Sequence, residues 1–313
     1  MQNHEVWRHQ YRANRYMKSL SIEDLKQRFI DIFNNLMVLD KECKISVPPI
    51  CQKTLYWITI WTHILEEFEI RFGPYPSGLT DGFIKNVKMP FPSSPMAKKA
   101  ANTVKTTDII DDNLLFKYGK SEYIKMLIST GEMRISPASM YNDSSLNHAT
   151  KDDELSISTC ISKDGAKLTV FDGKTKKLKG DIEPIGDITY TAKSKTDYYL
   201  SCFSLSYSPR LFLDFEADSC LIIKNRDEFV EKVLSSFEKQ LSGWSGWSDI
   251  VTYIDPLNFS SPEIDIFTSK HFRYAYQNEF RLLWLPDQPK SDLMPIFIKL
   301  PDLKNFCNLI DIS

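Results

Sequence analysis

The chain is poor in the residues from which the best-known catalytic and metal-binding signatures are built. Its cysteines (Cys43, Cys51, Cys160, Cys202, Cys220 and Cys307) never form a CxxC pair, and its histidines (His4, His9, His63, His148 and His271) form no HExxH motif or Cys/His cluster. That spacing excludes the usual structural and catalytic zinc patterns and makes the thiols expected small buried hydrophobes of a reducing compartment. None of the 11 glycines stands in a GxGxxG, Walker or GxSxG arrangement, so the signatures of dinucleotide folds, phosphate loops and nucleophile elbows are missing. An excess of one charge is also missing. With 39 basic and 41 acidic residues the formal net charge is −2, so a polyanion must meet a local patch rather than a global field. Long apolar runs are absent too: the most apolar, TLYWITIWTHIL (54–65), carries His63, precedes Glu66 and Glu67, and reads as a buried helix rather than a membrane span. The first twenty residues are polar and basic and lack an apolar stretch of signal-peptide length, so a cytoplasmic protein is expected.

At 313 residues, 42% hydrophobic and 26% charged, the composition is that of a large globular domain or a domain with an extension. SIEDLKQRFIDIFNNLMVL (21–39) predicts an amphipathic helix with Ser21 as N-cap and Asp24 in the capping-box position. A second helix is expected over 54–71, ending before Gly73. Pro74, Pro76, Pro90, Pro92 and Pro95 then mark a connector, with Lys85, Lys88, Lys98, Lys99 and Lys105 in and just after it. These lysines read either as a solvated linker or as a substrate-gripping arm. From Leu114 the pattern alternates irregularly. LLFKY predicts a strand, SEYIKMLIST a helix capped by Ser121 and stopped at Gly131, EMRIS a strand and PASMYND a turn. DGKTKKLKGD (172–181) predicts an exposed hairpin tip; YYLSCFSLS and DSCLIIKN predict strands; DEFVEKVLSSFEKQL predicts a helix with Val230, Val233, Leu234 and Phe237 inward; LMPIFIKL predicts a last strand. Strands irregularly mixed with few helices give an α+β class, with a helical region and connector over 1–105 and a second domain over 106–313.

KHFRYAYQNEFRLLW (270–284) is the most informative stretch. Its aromatic and branched residues predict a strand, in which Gln277, Glu279 and Arg281 share one face. Such a polar trio needs water, a partner or a ligand. An ordinary solvated Glu–Arg pair is the plainer of the two readings.

Taken in order, LFKYGKSEYIKMLISTGEMRISPASMYND, YYLSCFSLSYSPRLFLDFEADSCLIIKN and YAYQNEFRLLW resemble a large bacterial family of uncharacterised domains, and through it the ADP-ribosyltransferase superfamily. The resemblance covers residues 114–300. It implies a split, mostly antiparallel sheet and NAD as co-substrate. It also implies a site drawn from three strands: an Arg or His on the first, a Ser with an aromatic on the second, and a QxE-type Glu on the third. Carried onto this chain, Glu279 grips the nicotinamide ribose and stabilises the oxocarbenium-like cation, Gln277 orients the nucleophile, and Ser204 braces Glu279. Phe203 alternates into the core. The first strand departs from the pattern with Lys117 and Tyr118; Lys binds phosphate as a point charge without the guanidinium fork. Tyr118 is a candidate for a ribose hydrogen bond and Arg134 for the missing guanidinium. Ser136, Tyr141, Asn142 and Asp143 either touch the cofactor or make plain turn chemistry. Phe212 stands where the family has Trp, and Ser219 where it has Gly.

The resemblance implies an intracellular toxin of a defence or toxin–antitoxin system that modifies a macromolecule and has a neutralising protein partner. The lysines above, with Trp244 and Trp247, give nucleic acid a slight preference over protein as acceptor. An NAD glycohydrolase on the same fold and a non-catalytic binding or regulatory module remain open. No metal is expected. The helical region should pack on the catalytic part without forming the NAD site.

Overall fold

The computed structural model describes residues 3–74, 94–106, 113–161, 163, 168–258 and 264–313. The proline-rich connector and its lysines Lys85 and Lys88 lie outside the described residues. Helices α1 (Asn3–Ala13), α2 (Ile22–Leu36) and α3 (Gln52–Phe72) form the N-terminal part, with a short hairpin of β1 (Val38–Leu39) and β2 (Ile45–Ser46) after α2. Ser21 caps α2 as expected, its hydroxyl accepting the Asp24 N–H at 3.1 Å. Apolar residues at helical spacing, among them Leu25, Ile32, Trp57, Ile64 and Phe68, interlock into one core, and Phe272 and Ala275 from far along the chain complete it. Glu66 and Glu67, buried on α3, are neutralised by Arg8, Arg12, Arg15 and Arg71. Among the described residues no helix is long and apolar enough to cross a membrane.

After α4 (Pro95–Thr106), β3 (Leu115–Gly119) leads to α5 (Ser121–Thr130) and β4 (Glu132–Pro137). Ser121 is the first residue of α5 rather than its cap; its N–H is taken by the Asp218 carboxylate. Gly131 ends α5 at φ +68°, and a Cβ there would stand 2.3 Å from the Leu300 carbonyl, so glycine is required both by backbone conformation and by space. β5 (Ser156–Ile161) pairs with β8 (Ile188–Lys193), and between them β6 (Leu168–Phe171) and β7 (Leu178–Ile182) form a projecting hairpin whose tip carries the lysine run, as expected. The remaining elements are β9 (Tyr199–Ser204), α6 (Arg210–Asp214), β10 (Ser219–Ile223), α7 (Arg226–Gln240), β11 (Trp244–Ile250), β12 (Thr252–Ile254), β13 (Ser269–His271), β14 (Glu279–Pro286), β15 (Ile296–Lys299) and β16 (Cys307–Asp311).

The main sheet runs β11-β14-β9-β3-β10-β16, every pair antiparallel, with β4 attached to β9 and carrying β15. The class is therefore α+β with a mostly antiparallel sheet. One edge of β9 is fully paired with β14. The other is shared: β3 touches it only at Phe116↔Ser204, and β4 only at Ser136↔Leu200 and Pro137↔Tyr199. Ser201, Cys202 and Phe203 lie between those contacts, so the sheet opens there into a notch. Phe203, Leu282 and Trp284 on one face pack with Phe229, Val233 and Phe237 of α7. Cys202, Ser204, Glu279 and Arg281 occupy the opposite face, by the two-residue alternation of strands and the Glu279↔Ser204 register.

Candidate functional site

The stretch 270–284 is not one strand. Lys270 lies on β13, which ends at His271, Phe272–Gln277 forms a 3-10 turn, and Asn278 adopts φ +47° before β14 starts at Glu279. Asn tolerates that left-handed conformation better than most side chains. Gln277 thus lies off the strand, a correction to the QxE-on-one-strand reading. The physical reason is tertiary: Phe272 is buried against Trp57 of α3, with ring centroids 5.7 Å apart, so aromatics that would suit a strand are used to dock a turn on the N-terminal helices.

The turn nevertheless brings Gln277, Glu279 and Arg281 together, around Lys270. Lys270 Nζ donates to Glu279 Oε2 at 2.8 Å and Gln277 Oε1 at 3.2 Å, and lies 3.8 Å from Glu154 and 4.0 Å from Asp152. Arg281 donates from Nε to Glu279 Oε1 at 2.6 Å, from Nη2 to Glu154 at 2.7 Å and from Nη1 to the Phe267 carbonyl at 2.8 Å. Glu279 is 4% exposed and Arg281 0%, so the expected solvent-open face is instead an enclosed ion-pair network. Burial alone pushes the Glu279 carboxyl up, but Arg281 and Lys270 outweigh it and bring it down to about 2. Burial pushes Asp152 and Glu154 above the ordinary carboxyl range despite the same two cations. Lys270, Glu154 and Asp152 carried no motif: Lys270 read as the start of a strand, and Glu154 lies 127 residues from the Arg281 it pairs with.

Glu279, Gln277 and Ser204 line a cavity of about 220 Å³ together with Lys117, Tyr118 and Tyr141. An adjoining cavity of about 510 Å³ shares Lys117, Tyr118 and Tyr141 and adds Arg134 and Ser136. The notch between β3, β4 and β9 thus collects most of the residues read from the sequence. Asn142 belongs elsewhere, on a third cavity of about 500 Å³ beyond Lys270, beside His148 and Arg273. Asp143 is exposed and accepts the Ser145 N–H at 2.8 Å, which is turn chemistry.

Three of these side chains have partners that their expected roles did not include. Ser204 faces Glu279 across the ladder, but its hydroxyl bonds the Gln277 and Ser206 carbonyls, both at 2.8 Å, and so braces the turn rather than the carboxylate. The Gln277 amide is fully engaged, Nε2 donating to the Ala149 carbonyl at 2.8 Å, so orienting a nucleophile requires its release. The Tyr118 hydroxyl donates to the Ser208 carbonyl at 3.1 Å and accepts the Ser208 N–H at 2.8 Å, leaving its ring to the cavity. Arg134 is exposed on the rim, 4.0 Å from Met140 Sδ.

Lys117 is the cation aimed into the notch. Among the described residues its Nζ meets the Ser201 hydroxyl and the Cys202 carbonyl, each at 3.3 Å, and the Phe203 ring at 4.6 Å, and no carboxylate pairs with it. Burial lowers its pKa, so its charge opposes folding. Lys117→Met is therefore expected to raise the melting temperature at pH 7. The gain should be full below the depressed folded pKa and fade towards about pH 10.4, where the unfolded lysine also loses its proton. Thermal melts at pH 7 and pH 10.5 check both the sign and the window.

Of the features read as favouring nucleic acid, Trp244 packs with Tyr199 and Phe237, and Trp247 with Phe267, so both indoles are engaged within the fold. Lys98 is exposed on α4, whereas Lys99 donates to the Ile312 carbonyl at 2.9 Å. Among the described residues no cluster of His, Cys, Asp and Glu has the arrangement of a metal site. Comparison of the chain with protein-family models, curated proteins and solved structures finds no match.

Proposed function

We propose that the chain is an NAD-dependent ADP-ribosyltransferase that binds NAD along the notch, with the nicotinamide ribose at Glu279 and the pyrophosphate near Lys117 and Arg134. The observation that carries the reading is that Glu279 of β14 and Lys117 of β3 both line one cavity at the split of the sheet, Glu279 beside Ser204 and Lys117 beside Ser201 and Phe203. Breaking the nicotinamide–ribose bond builds positive charge on the ribose, and preorganised negative charge stabilises it. Glu279 is the carboxylate on the wall of this cavity, and it is held by Lys270 and Arg281, which Glu154 and Asp152 also approach. Because both of its oxygens are held, Glu279 needs no reorganisation when the charge develops. Lys117, half-buried and with no carboxylate partner among the described residues, would donate to a phosphate oxygen.

In this reading the acceptor is a macromolecule, with nucleic acid somewhat preferred for the basic hairpin tip, and the biology is that of an intracellular toxin held in check by a partner protein. A second reading rests on a specific feature: Lys270 and Arg281 already neutralise both Glu279 oxygens, as suits a non-catalytic NAD-binding module. Full-length protein incubated with NAD carrying a labelled adenylate separates the cases. A transferase releases nicotinamide and leaves label on RNA, DNA or protein of an added lysate. A glycohydrolase releases nicotinamide equally fast with no lysate, and a binding module releases none while still showing heat of NAD binding.

A further inference from the structure

We propose that Asn35, on α2, is a positioning residue for Glu279, which makes the N-terminal helices part of the catalytic apparatus; this rests on the function proposed above. Asn35 is 8% exposed, and its amide brackets the 3-10 turn: Oδ1 accepts the Tyr276 N–H at 3.0 Å and Nδ2 donates to the Phe272 carbonyl at 2.8 Å. Both are backbone groups of a buried segment, and each left unpaired would cost its desolvation. The sequence of that segment favours an extended strand, so the 3-10 geometry is imposed from outside, and Asn35 imposes it at both ends. The consequence runs directly into the site. The turn delivers Gln277, Gln277 accepts from Lys270, and Lys270 holds Glu279.

The end of α2 is itself fixed on its other side. Arg210 donates to the Asn34 and Met37 carbonyls and stacks on Tyr276 at 3.9 Å, and Lys53 of α3 reaches the Ala275 carbonyl at 3.4 Å. Asn35 is therefore held in register with the turn by α2, α3 and α6 together. Letting the turn relax towards a strand would withdraw Gln277 from Lys270 and free Lys270 to lean towards Glu154 and Asp152, changing the aim of the carboxylate although Asn35 itself does not line the NAD cavity.

The test uses the full chain with Asn35→Leu, which keeps bulk and removes both hydrogen bonds, and Asn35→Asp, which keeps the acceptor and loses the donor. Nicotinamide release is measured across NAD concentrations, and amide hydrogen exchange is followed by peptide. Positioning predicts that Asn35→Leu lowers kcat by about 10–100-fold while KM for NAD moves less than about twofold, since small displacements of reacting groups carry penalties of this size. Asn35→Asp should fall between it and wild type, and it keeps the test alive if Asn35→Leu folds poorly. Exchange should quicken in peptides spanning 272–279 and stay unchanged in α1 and α3. Wild-type kcat in both variants, or faster exchange spread over all three N-terminal helices with kcat tracking the folded fraction, overturns the proposal. A wild-type chain that releases no nicotinamide overturns the proposed function and the catalytic part of this inference, while exchange at 272–279 still decides whether Asn35 holds the turn.

Discussion

Glu279→Gln is expected to reduce NAD cleavage by about 10²–10³-fold, the usual consequence of removing one preorganised electrostatic group. The structure adds a cost in stability that an open strand face would not carry. Both carboxylate oxygens of Glu279 accept charge-assisted hydrogen bonds, from Lys270 and from Arg281. The substitution leaves those cations with Glu154 and Asp152, two against two, so no charge is stranded and the loss should stay near 1.5–3 kcal/mol. Its pH dependence has a definite sign. A carboxyl brought down to about 2 in the folded state contributes stability above the unfolded carboxylate range, and that contribution fades as pH falls towards 2. The stability gap between wild type and Glu279→Gln should therefore be constant from pH 5 to pH 9 and narrow below about pH 4. Urea titrations across that range check it, alongside nicotinamide release at neutral pH.

Arg281→Met should have the larger effect on folding, about 3–5 kcal/mol at pH 7.5. Removing one partner of a buried network leaves uncompensated charge, and here three carboxylates would face Lys270 alone. Burial already holds Asp152 and Glu154 above the ordinary range, and loss of a cation pushes them further. Carboxyls raised in the folded state oppose folding above their unfolded pKa and cease to do so once protonated. Arg281→Met should accordingly recover part of its loss between pH 7.5 and pH 5, the opposite direction to Glu279→Gln. Chemical unfolding midpoints at the two pH values decide it; an equal deficit at both would mean that Arg281 acts by packing rather than by charge.

Which parts were legible in the sequence follows from the range of the forces involved. Helices α2, α3 and α7 announce themselves through apolar residues at helical spacing, and Gly131 through its place at a helix end, because these signals are local. The strands around Lys117 and Ser204 were equally plain. The break at Phe272–Asn278 was not, because the aromatics there are consistent with a strand and only the distant Asn35 and Trp57 decide otherwise. Strand β11 carries no strand signal of its own in SGWSGWSDI, yet it pairs with β14, and Gly246 lies so close under Trp284 that a Cβ would come within 2.6 Å of the indole. The candidate site was legible in Glu279, Gln277, Ser204, Lys117 and Tyr141, and illegible in its charge balance. Lys270, Glu154 and Asp152 reach Glu279 only through tertiary structure.

A crystal structure of the full chain with a non-hydrolysable NAD analogue decides whether the notch binds the dinucleotide. The nicotinamide ribose is expected within hydrogen-bond distance of Glu279 and a pyrophosphate oxygen within reach of Lys117 Nζ, in the notch between β3, β4 and β9. An analogue seated instead in the cavity beside His148 and Arg273, or bound in the notch with its ribose away from Glu279, would contradict the proposed function.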